Sequence, residues 1–423
     1  MPAPANHDGS SPPALPPVLH ALSQRDAEAA ARGCVSKFSP NKWRLIRLAE
    51  TILTPFVRAM DAGKPRRAAG APNPSRILVV EYGQLGDVAL VLPFLQNLRF
   101  HYPDARIVLA GNPRFFPLIE SERLVDELVA VEVPWIVAVS RWKKHNPFSS
   151  SWMRMARVAR ALRREQFDLA LSPRADIRDN WFLWLTRAAQ RVGYGFYGGN
   201  CFLTDVAAPD VEHPHYASRW LHLLEHLGKP ILDAQPRLKL TPADHQGAAQ
   251  FLVRQGIGEH DLVIGLHPGA RVATRQWGEE NFRAAGERLA AQFSAKILWF
   301  EEPHKASAHG RGFVRVGLPL REFAAVLARC SVVICNDSGP MHVATALGTR
   351  VVGIFGPNTP AWFGPVGSQN RVVIREGFWC RPCSDRCIFD QPYCLRTISV
   401  DQVVQAAAEL LAPGIPQPVR TGA

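Results

Sequence analysis

The sequence lacks any apolar run long enough to cross a bilayer as a helix, which takes about 20 residues. Its opening residues, Met1 to Asn6, lack the basic-then-apolar order of a secretory leader. Both absences argue against a membrane-spanning or exported chain and point to a cytoplasmic location. Negative charge is in deficit: 37 Asp and Glu face 49 Lys and Arg, a net charge of +12. Such an excess suits nucleic acid, an anionic membrane surface or a phosphorylated substrate, and in its plainest reading serves solubility. Cysteine is sparse, with eight in 423 residues, yet four crowd the C-terminal part: Cys380, Cys383, Cys387 and Cys394. The first two form a Cys-x-x-Cys, and the second two lack that spacing. A structural zinc or a redox site is one reading, and a reduced thiol-rich loop is the favoured one.

What is present is α/β patterning, in a chain long enough for two domains with extensions. The clearest unit runs from Ser331 to Gly348. Its short β-branched run reads as a buried parallel strand, followed by the polar turn Asn336-Asp337-Ser338-Gly339 and a helix that Gly348 can end. The turn offers free N–H groups and a hydroxyl at a helix start, a suitable place for a phosphate. Arg350 to Phe355 is a second strand.

Residues 1 to about 36, rich in Pro and Ala without periodicity, read as disordered. Asn41 to Met60 carries apolar residues at helical spacing among Lys42, Arg44, Arg47 and Arg58. That basic amphipathic helix suits an anionic membrane, or equally the protein's own flank. Lys64 to Pro74 reads as a linker. A first alternation of strand and helix occupies residues 76–230, opening on the strand Ile77 to Tyr82, the turn Gly83 to Asp87 and one helix from Val88 to Phe100. It includes a basic helix, Ser151 to Arg164, that either faces a phosphorylated acceptor or is solvated. Lys229 to Pro242 is the crossing between domains, and a second alternation fills 243–411 before a tail at 412–423. The predicted fold class is α/β: two Rossmann-like domains with parallel sheets facing a central cleft.

Three segments, taken in order, resemble one family: Ile77-Leu-Val-Val-Glu-Tyr-Gly-Gln-Leu-Gly-Asp87, His267-Pro-Gly-Ala-Arg-Val-Ala-Thr-Arg-Gln-Trp277 and Asn336-Asp-Ser-Gly-Pro-Met-His342. With the trailing Cys cluster they resemble glycosyltransferase family 9, the lipopolysaccharide heptosyltransferases, from about Arg76 to Leu411. The resemblance implies a GT-B fold, inversion at the anomeric carbon and no metal. It implies ADP-heptose as donor and a lipid A–core sugar as acceptor, at the cytoplasmic face of the inner membrane. Nucleic acid then drops out as a partner, and a peripheral membrane location is expected.

Inverting transfer needs a base for the acceptor hydroxyl and positive charge or N–H dipoles for the leaving diphosphate. The resemblance gives the base to Asp87, a position where an Asp also serves as an ordinary helix cap. Gly83 and Gly86 let that turn approach the acceptor. Arg275 stands where the family has a diphosphate-holding Lys, with Arg271 an alternative cation, Thr274 adding a hydroxyl and Gly269 allowing close backbone approach. Ser338, Gly339 and His342 begin the helix that Gly348 ends and can meet the diphosphate, while Asp337 is assigned to sugar hydroxyls or to capping. Glu301 or Glu302, with Glu302 preferred, accepts from the ribose. Trp181, Trp184, Tyr194 and Tyr197 either stack on sugars or fill the core. A sugar-nucleotide epimerase and a non-catalytic glycan- or nucleotide-binding protein are the competing functions on such a scaffold.

Overall fold

The computed structural model describes residues 40–62, 73–136, 146, 149–208, 214–303, 312–383, 385 and 387–412. The expected disordered start, most of the linker and nearly all of the tail lie outside the described residues. The chain opens on helix α1 (Pro40–Asp61). The first sheet then takes β1 (Arg76–Glu81), β2 (Arg106–Gly111), β3 (Glu127–Ala130), β4 (Leu169–Ser172), β5 (Gln190–Gly193) and β6 (Asp205–Val206). Its helices are α2 (Leu85–Leu90), α3 (Leu92–His101), α4 (Ser150–Arg164), α5 (Ile177–Thr186) and α6 (Tyr216–His226).

The second sheet is built from β7 (Val263–His267), β8 (Lys296–Phe300), β9 (Val314–Val316), β10 (Val332–Asn336), β11 (Arg350–Phe355) and β12 (Arg371–Ile374). Around it lie α7 (Pro242–Arg254), α8 (Glu279–Phe293), α9 (Leu320–Leu327), α10 (Gly339–Ala346), α11 (Pro360–Phe363), α12 (Tyr393–Arg396) and α13 (Val400–Leu411).

Both sheets are six-stranded, in the orders β3-β2-β1-β4-β5-β6 and β12-β11-β10-β7-β8-β9, and every strand pair is parallel. Counted from each domain's own first strand, the two orders are the same doubly wound one. Its connections reverse direction between β1 and β4 in one sheet and between β7 and β10 in the other. Ligands in such sheets bind beyond the carboxyl ends of those strands. The predicted α/β architecture of two Rossmann-like domains is therefore the observed one. The central strands are buried on both faces, as the apolar runs Ile77 to Val80 and Val332 to Cys335 require.

Local departures from the sequence reading have simple causes. The single helix expected from Val88 to Phe100 is two, because Pro93 sits in the first turn of α3, where its missing N–H is harmless, and α2 ends just before it. α7 was not anticipated: its buried side chains are only Ala248 and Leu252, too few to show a helical period. It is nonetheless started by a Thr241–Asp244 capping box behind Pro242. β12 was missed as well, being a short edge strand with little burial.

The two halves share an apolar cluster. Ile77, Phe94 and Trp220 of the first are continuous with Val263, Phe323, Met341 and Phe355 of the second. The crossing segment is strapped to α3 by Asn97, whose Oδ1 accepts from Leu232 N–H at 2.7 Å and whose Nδ2 donates to the Asp233 carbonyl at 2.7 Å.

α1 packs on the first domain through Val57 and Leu53, against Trp184 and Phe202. Asp61, at its last residue, is buried against Arg187 (2.9 Å) and Arg191. Asp61→Ala removes a buried carboxylate from the buried Arg191 and the half-buried Arg187, a loss on the order of 3 kcal/mol. The expected result is a lower melting temperature and faster proteolysis within residues 40–62. Unchanged melting would mean that the pair does not anchor the helix.

Candidate active site at the domain seam

All three turns singled out in the sequence lie at the carboxyl ends of β1, β7 and β10. Two of them touch. α2 and α10 meet start to start across the seam between domains: a Cβ built on Gly339 would lie 2.7 Å from Leu85 Cβ and 3.1 Å from Gly86 N. A Cβ on Gly86 would lie 2.7 Å from His342 Cδ2. Any side chain at Gly86 or Gly339 would wedge the two helix starts apart.

On the first-domain side, Asp87 is half-buried in the first turn of α2. Its Oδ2 accepts from the Gln84 N–H at 2.7 Å, so it caps the helix as well as facing the cleft. Gly83 makes room for this carboxylate, since a Cβ there would fall 2.1 Å from Asp87 Oδ2.

Beneath Asp87 lies a network that the sequence reading did not find. Glu81, fully buried at the end of β1, accepts from Gly83 N–H (2.7 Å) and Tyr216 Oη (2.9 Å), with Arg174 Nη1 at 3.4 Å. Asp179, in the first turn of α5, accepts from Tyr82 Oη (2.6 Å) and Trp135 Nε1 (2.7 Å) and flanks Arg174 Nε at 3.3 Å. Burial pushes the Glu81 carboxyl up to about 7. The charge of Asp87 adds to the rise, and Arg174, Tyr216 and Gly83 oppose it.

On the second-domain side, Asn336 ends β10 and ties the β7 loop to it. Its Nδ2 donates to the Pro268 carbonyl at 2.7 Å and its Oδ1 accepts from Trp277 N–H at 3.1 Å. Arg275 donates through Nε and Nη2 to both oxygens of Asp385, each at 2.6 Å, and its Nη1 lies 3.4 Å from Asp337 Oδ2. Asp337 also accepts from Asn358 Nδ2 at 2.6 Å. Burial raises the Asp337 carboxyl against the pull of Arg275 and Asn358.

Among the described residues, the buried atoms Thr274 Oγ1, Ser338 Oγ and His342 Nδ1 have no hydrogen-bond partner. Burial drops the His342 imidazole to about 3, with the charges of His215 and Arg275 adding, so the ring is neutral at physiological pH. Gly269 is in the same loop, packed against the His267 ring.

Other residues named from the sequence lie apart from this group. Arg271 is exposed. Glu302 has a side chain 75% exposed and faces Arg114 of the first domain at 3.8 Å across the rim, whereas Glu301 is buried against Arg315. Trp184 and Tyr194 are core residues, Tyr194 donating to the Arg219 carbonyl at 2.8 Å. Trp181 packs against Trp152, and Tyr197 packs at the edge of the core. The arginines of α4 are exposed, while Met155, Ala159 and Leu162 face inward. Cys380, Cys383, Cys387 and Cys394 line one small cavity behind Thr274 and Gly356. Burial pushes the Cys383 and Cys394 thiols up to about 11. Among the described residues, no three metal-ligating side chains stand close enough to hold an ion.

Comparison with known proteins gives this seam a family. The profile described as glycosyltransferase family 9 (heptosyltransferase) matches residues 155–393, more than half of the chain. The chain belongs to glycosyltransferase family 9. It is a glycosyltransferase enzyme, and its architecture is GT-B. Lipopolysaccharide heptosyltransferase 1 of Pseudomonas aeruginosa is 24% identical over 383 residues, spanning 80% of this chain and 99% of the relative. A lipopolysaccharide core heptosyltransferase of Haemophilus influenzae is 22% identical over 314 residues, spanning 71% and 84%. Among solved structures, a family 9 glycosyltransferase from Veillonella parvula superposes with a TM-score of 0.65 at 25% identity, covering 80% of this chain and 97% of its own. ADP-heptose lipopolysaccharide heptosyltransferase II of E. coli superposes with a TM-score of 0.61 at 19% identity, covering 79% and 98%.

The Glu81 carboxyl makes a testable signature. A carboxyl raised from 4.5 to about 7 keeps its proton in the fold while the unfolded chain gives it up. Its contribution to stability is therefore full below pH 4.5 and is lost as pH rises through 7, by roughly 3 kcal/mol. Glu81→Gln should flatten the decline in melting temperature between pH 5 and 8. It should also remove an inflection near pH 7 from the pH profile of kcat/KM. A variant with the wild-type profile would show that Glu81 does not titrate beside Asp87.

A second prediction concerns the seam. Gly339→Val should lower kcat/KM by at least about tenfold, since a misplacement near 1 Å already costs on the order of 100-fold. Wild-type activity in a folded Gly339→Val protein would show that the two helix starts need not touch.

Proposed function

We propose that this enzyme transfers heptose from ADP-heptose, with inversion, onto a lipopolysaccharide-core or related glycolipid acceptor at the cytoplasmic face of the inner membrane. The observation that carries the reading is the start-to-start contact of α2 and α10. It puts a carboxylate, Asp87, opposite a helix start with a partnerless hydroxyl, Ser338, and a guanidinium, Arg275. The names of the relatives support the acceptor class, and one E. coli heptosyltransferase was solved with ADP and with ADP-2-deoxy-2-fluoro heptose.

In this reading the acceptor hydroxyl donates its proton to Asp87 as its oxygen attacks the anomeric carbon. The new C–O bond forms on the face opposite the bond to the diphosphate, which breaks and leaves with both electrons. The negative charge developing on ADP meets the N–H groups at the start of α10, the hydroxyls of Ser338 and Thr274, and Arg275. Arg275 arrives already oriented by Asp385, so the diphosphate competes with carboxylates for a guanidinium whose position is set. Asp337, a carboxylate beside Arg275, suits the sugar hydroxyls and not the phosphates. His342, neutral, offers a ring nitrogen as hydrogen-bond partner without adding charge. Glu302 at the rim is left for the ribose.

The test is direct. Purified protein, ADP-heptose and a core acceptor lacking its heptose are mixed, and the added mass is read by mass spectrometry. Asp87→Asn should lower transfer by a factor of about 100 or more while donor affinity stays within about threefold. ADP-heptose incubated alone should remain unchanged, which separates transfer from epimerisation. Wild-type transfer by Asp87→Asn would remove Asp87 from the role of base.

A further inference from the structure

α1 has three faces, and among the described residues it packs on the first domain through one of them. Ile46, Leu53, Val57 and Asp61 turn inward onto the first domain. Leu45, Leu48, Ile52 and Phe56 recur at steps of three and four and form one outward stripe, with exposures of 65%, 59%, 65% and 58%. Arg44, Arg47 and Arg58 are exposed along its flank. Large exposed side chains scattered singly are ordinary, but four in register on one helix mark an interaction face.

The helix is held where it is. Besides the Asp61 pairs, Ile46 packs so closely on the loop after β5 that a Cβ on Gly198 would lie 2.6 Å from its Cγ2. Gly198 has a φ of +90°, so glycine suits the backbone as well as the space.

The helix also has a direction. Ile46 lies by Gly198, close to Ile177 at the start of α5, and Asp61 lies by Arg187 just past the end of α5. α1 therefore runs alongside α5 with its N-terminal end toward the carboxyl ends of the strands, where the site is. At the other end, the charge of Arg163 on α4 reaches Arg187. The exposed arginines of α4 thus join the same flank of the domain.

We propose that α1 docks the acceptor domain on an anionic phospholipid surface. Leu45, Leu48, Ile52 and Phe56 enter the interface, and Arg44, Arg47 and Arg58 meet the headgroups. An interfacial helix of this kind has one apolar face and a basic polar one. Among the described residues no helix is long and apolar enough to cross a membrane, so this helix lies on the surface. The proposal deepens the proposed function, and rests on it for one point only: a glycolipid acceptor explains why the domain beside α1 would need to sit at the membrane.

Full-length protein is sedimented with vesicles of phosphatidylcholine, with and without phosphatidylglycerol. Wild type should partition onto the anionic vesicles and release at high salt. The triple variant L48S/I52S/F56S should lose at least about tenfold in partitioning with an unchanged melting curve. R44E/R58E, which leaves the apolar stripe intact, should lose binding to the anionic vesicles alone. Transfer to a delipidated core oligosaccharide should be the same in wild type and the triple variant, and transfer to vesicle-embedded acceptor should fall in the variant. Equal partitioning of wild type and triple variant would overturn the proposal, as would equal binding to both vesicle types. A wild-type dimer that the triple variant dissolves would also overturn it, making the stripe a self-interface. Vesicle binding as expected with no transfer to either acceptor would uphold the docking and overturn the proposed function instead.

Discussion

The contact between the starts of α2 and α10 is the constraint on which the rest of the site depends. Two helix starts approach only where neither carries a side chain at the crossing, and Gly86 and Gly339 meet that condition from opposite domains. Each start brings polarised N–H groups to the same place. One is capped by its own carboxylate, Asp87, and so presents negative charge toward the acceptor side. The other begins with Ser338, whose hydroxyl has no partner among the described residues and so suits the anion of the proposed reaction. Under the proposed function, the same structural element serves as base on one side and as anion site on the other, depending on the residue at its first turn.

Each side of the seam also holds an arginine between two carboxylates. Arg174 lies between Glu81 and Asp179, and Arg275 lies between Asp337 and Asp385. Burying a guanidinium is costly unless it is well paired, and here the pairing fixes its orientation. The two triads differ in reach. Arg174 is enclosed by Glu81, Asp179 and Tyr216, which suits holding the floor of the acceptor side. Arg275 sits on a loop beside the partnerless Thr274 hydroxyl, which suits a residue that must meet a ligand.

The strand–turn–helix units were legible in the sequence because their information is local: β-branched runs, glycine turns and capping residues within a few positions of one another. The turns that carry Asp87, Arg275, Ser338 and His342 were legible in the same way, while the roles given to Asp87 and Arg275 came from the family resemblance. Legibility failed where the signal was spread along the chain. Glu81 reads as a polar residue in a strand, and its significance comes from Arg174, 93 residues away. Asp385 lies 110 residues from Arg275, in a stretch whose cysteines drew attention as a metal or redox pattern. No spacing rule connects such partners, because the topology that joins them is set by the order of strands in two sheets. α1 is the intermediate case: its period was plain, but which apolar residues face the domain and which face away depends on Trp184, Phe202 and the loop at Gly198.

The buried state of the site bears on how the enzyme must work. Ser338 Oγ and His342 Nδ1 are sealed from solvent, and His342 is pressed against Gly86. The diphosphate of the proposed reaction can reach them only if α2 and α10 separate. Yet the halves share an apolar cluster, and the crossing segment is bonded to both: to Asn97 of α3 at one end, and through Leu238 N–H to the Ala346 carbonyl at the other, at 2.8 Å. Wholesale parting of the domains would expose that cluster. A rotation about the crossing segment that opens the seam disturbs less of that cluster, because Gly86 and Gly339 carry no side chains to withdraw. Under the proposed function, donor entry is then a local opening at the two helix starts, and closing it again expels water and returns Asp87 to its place opposite the diphosphate.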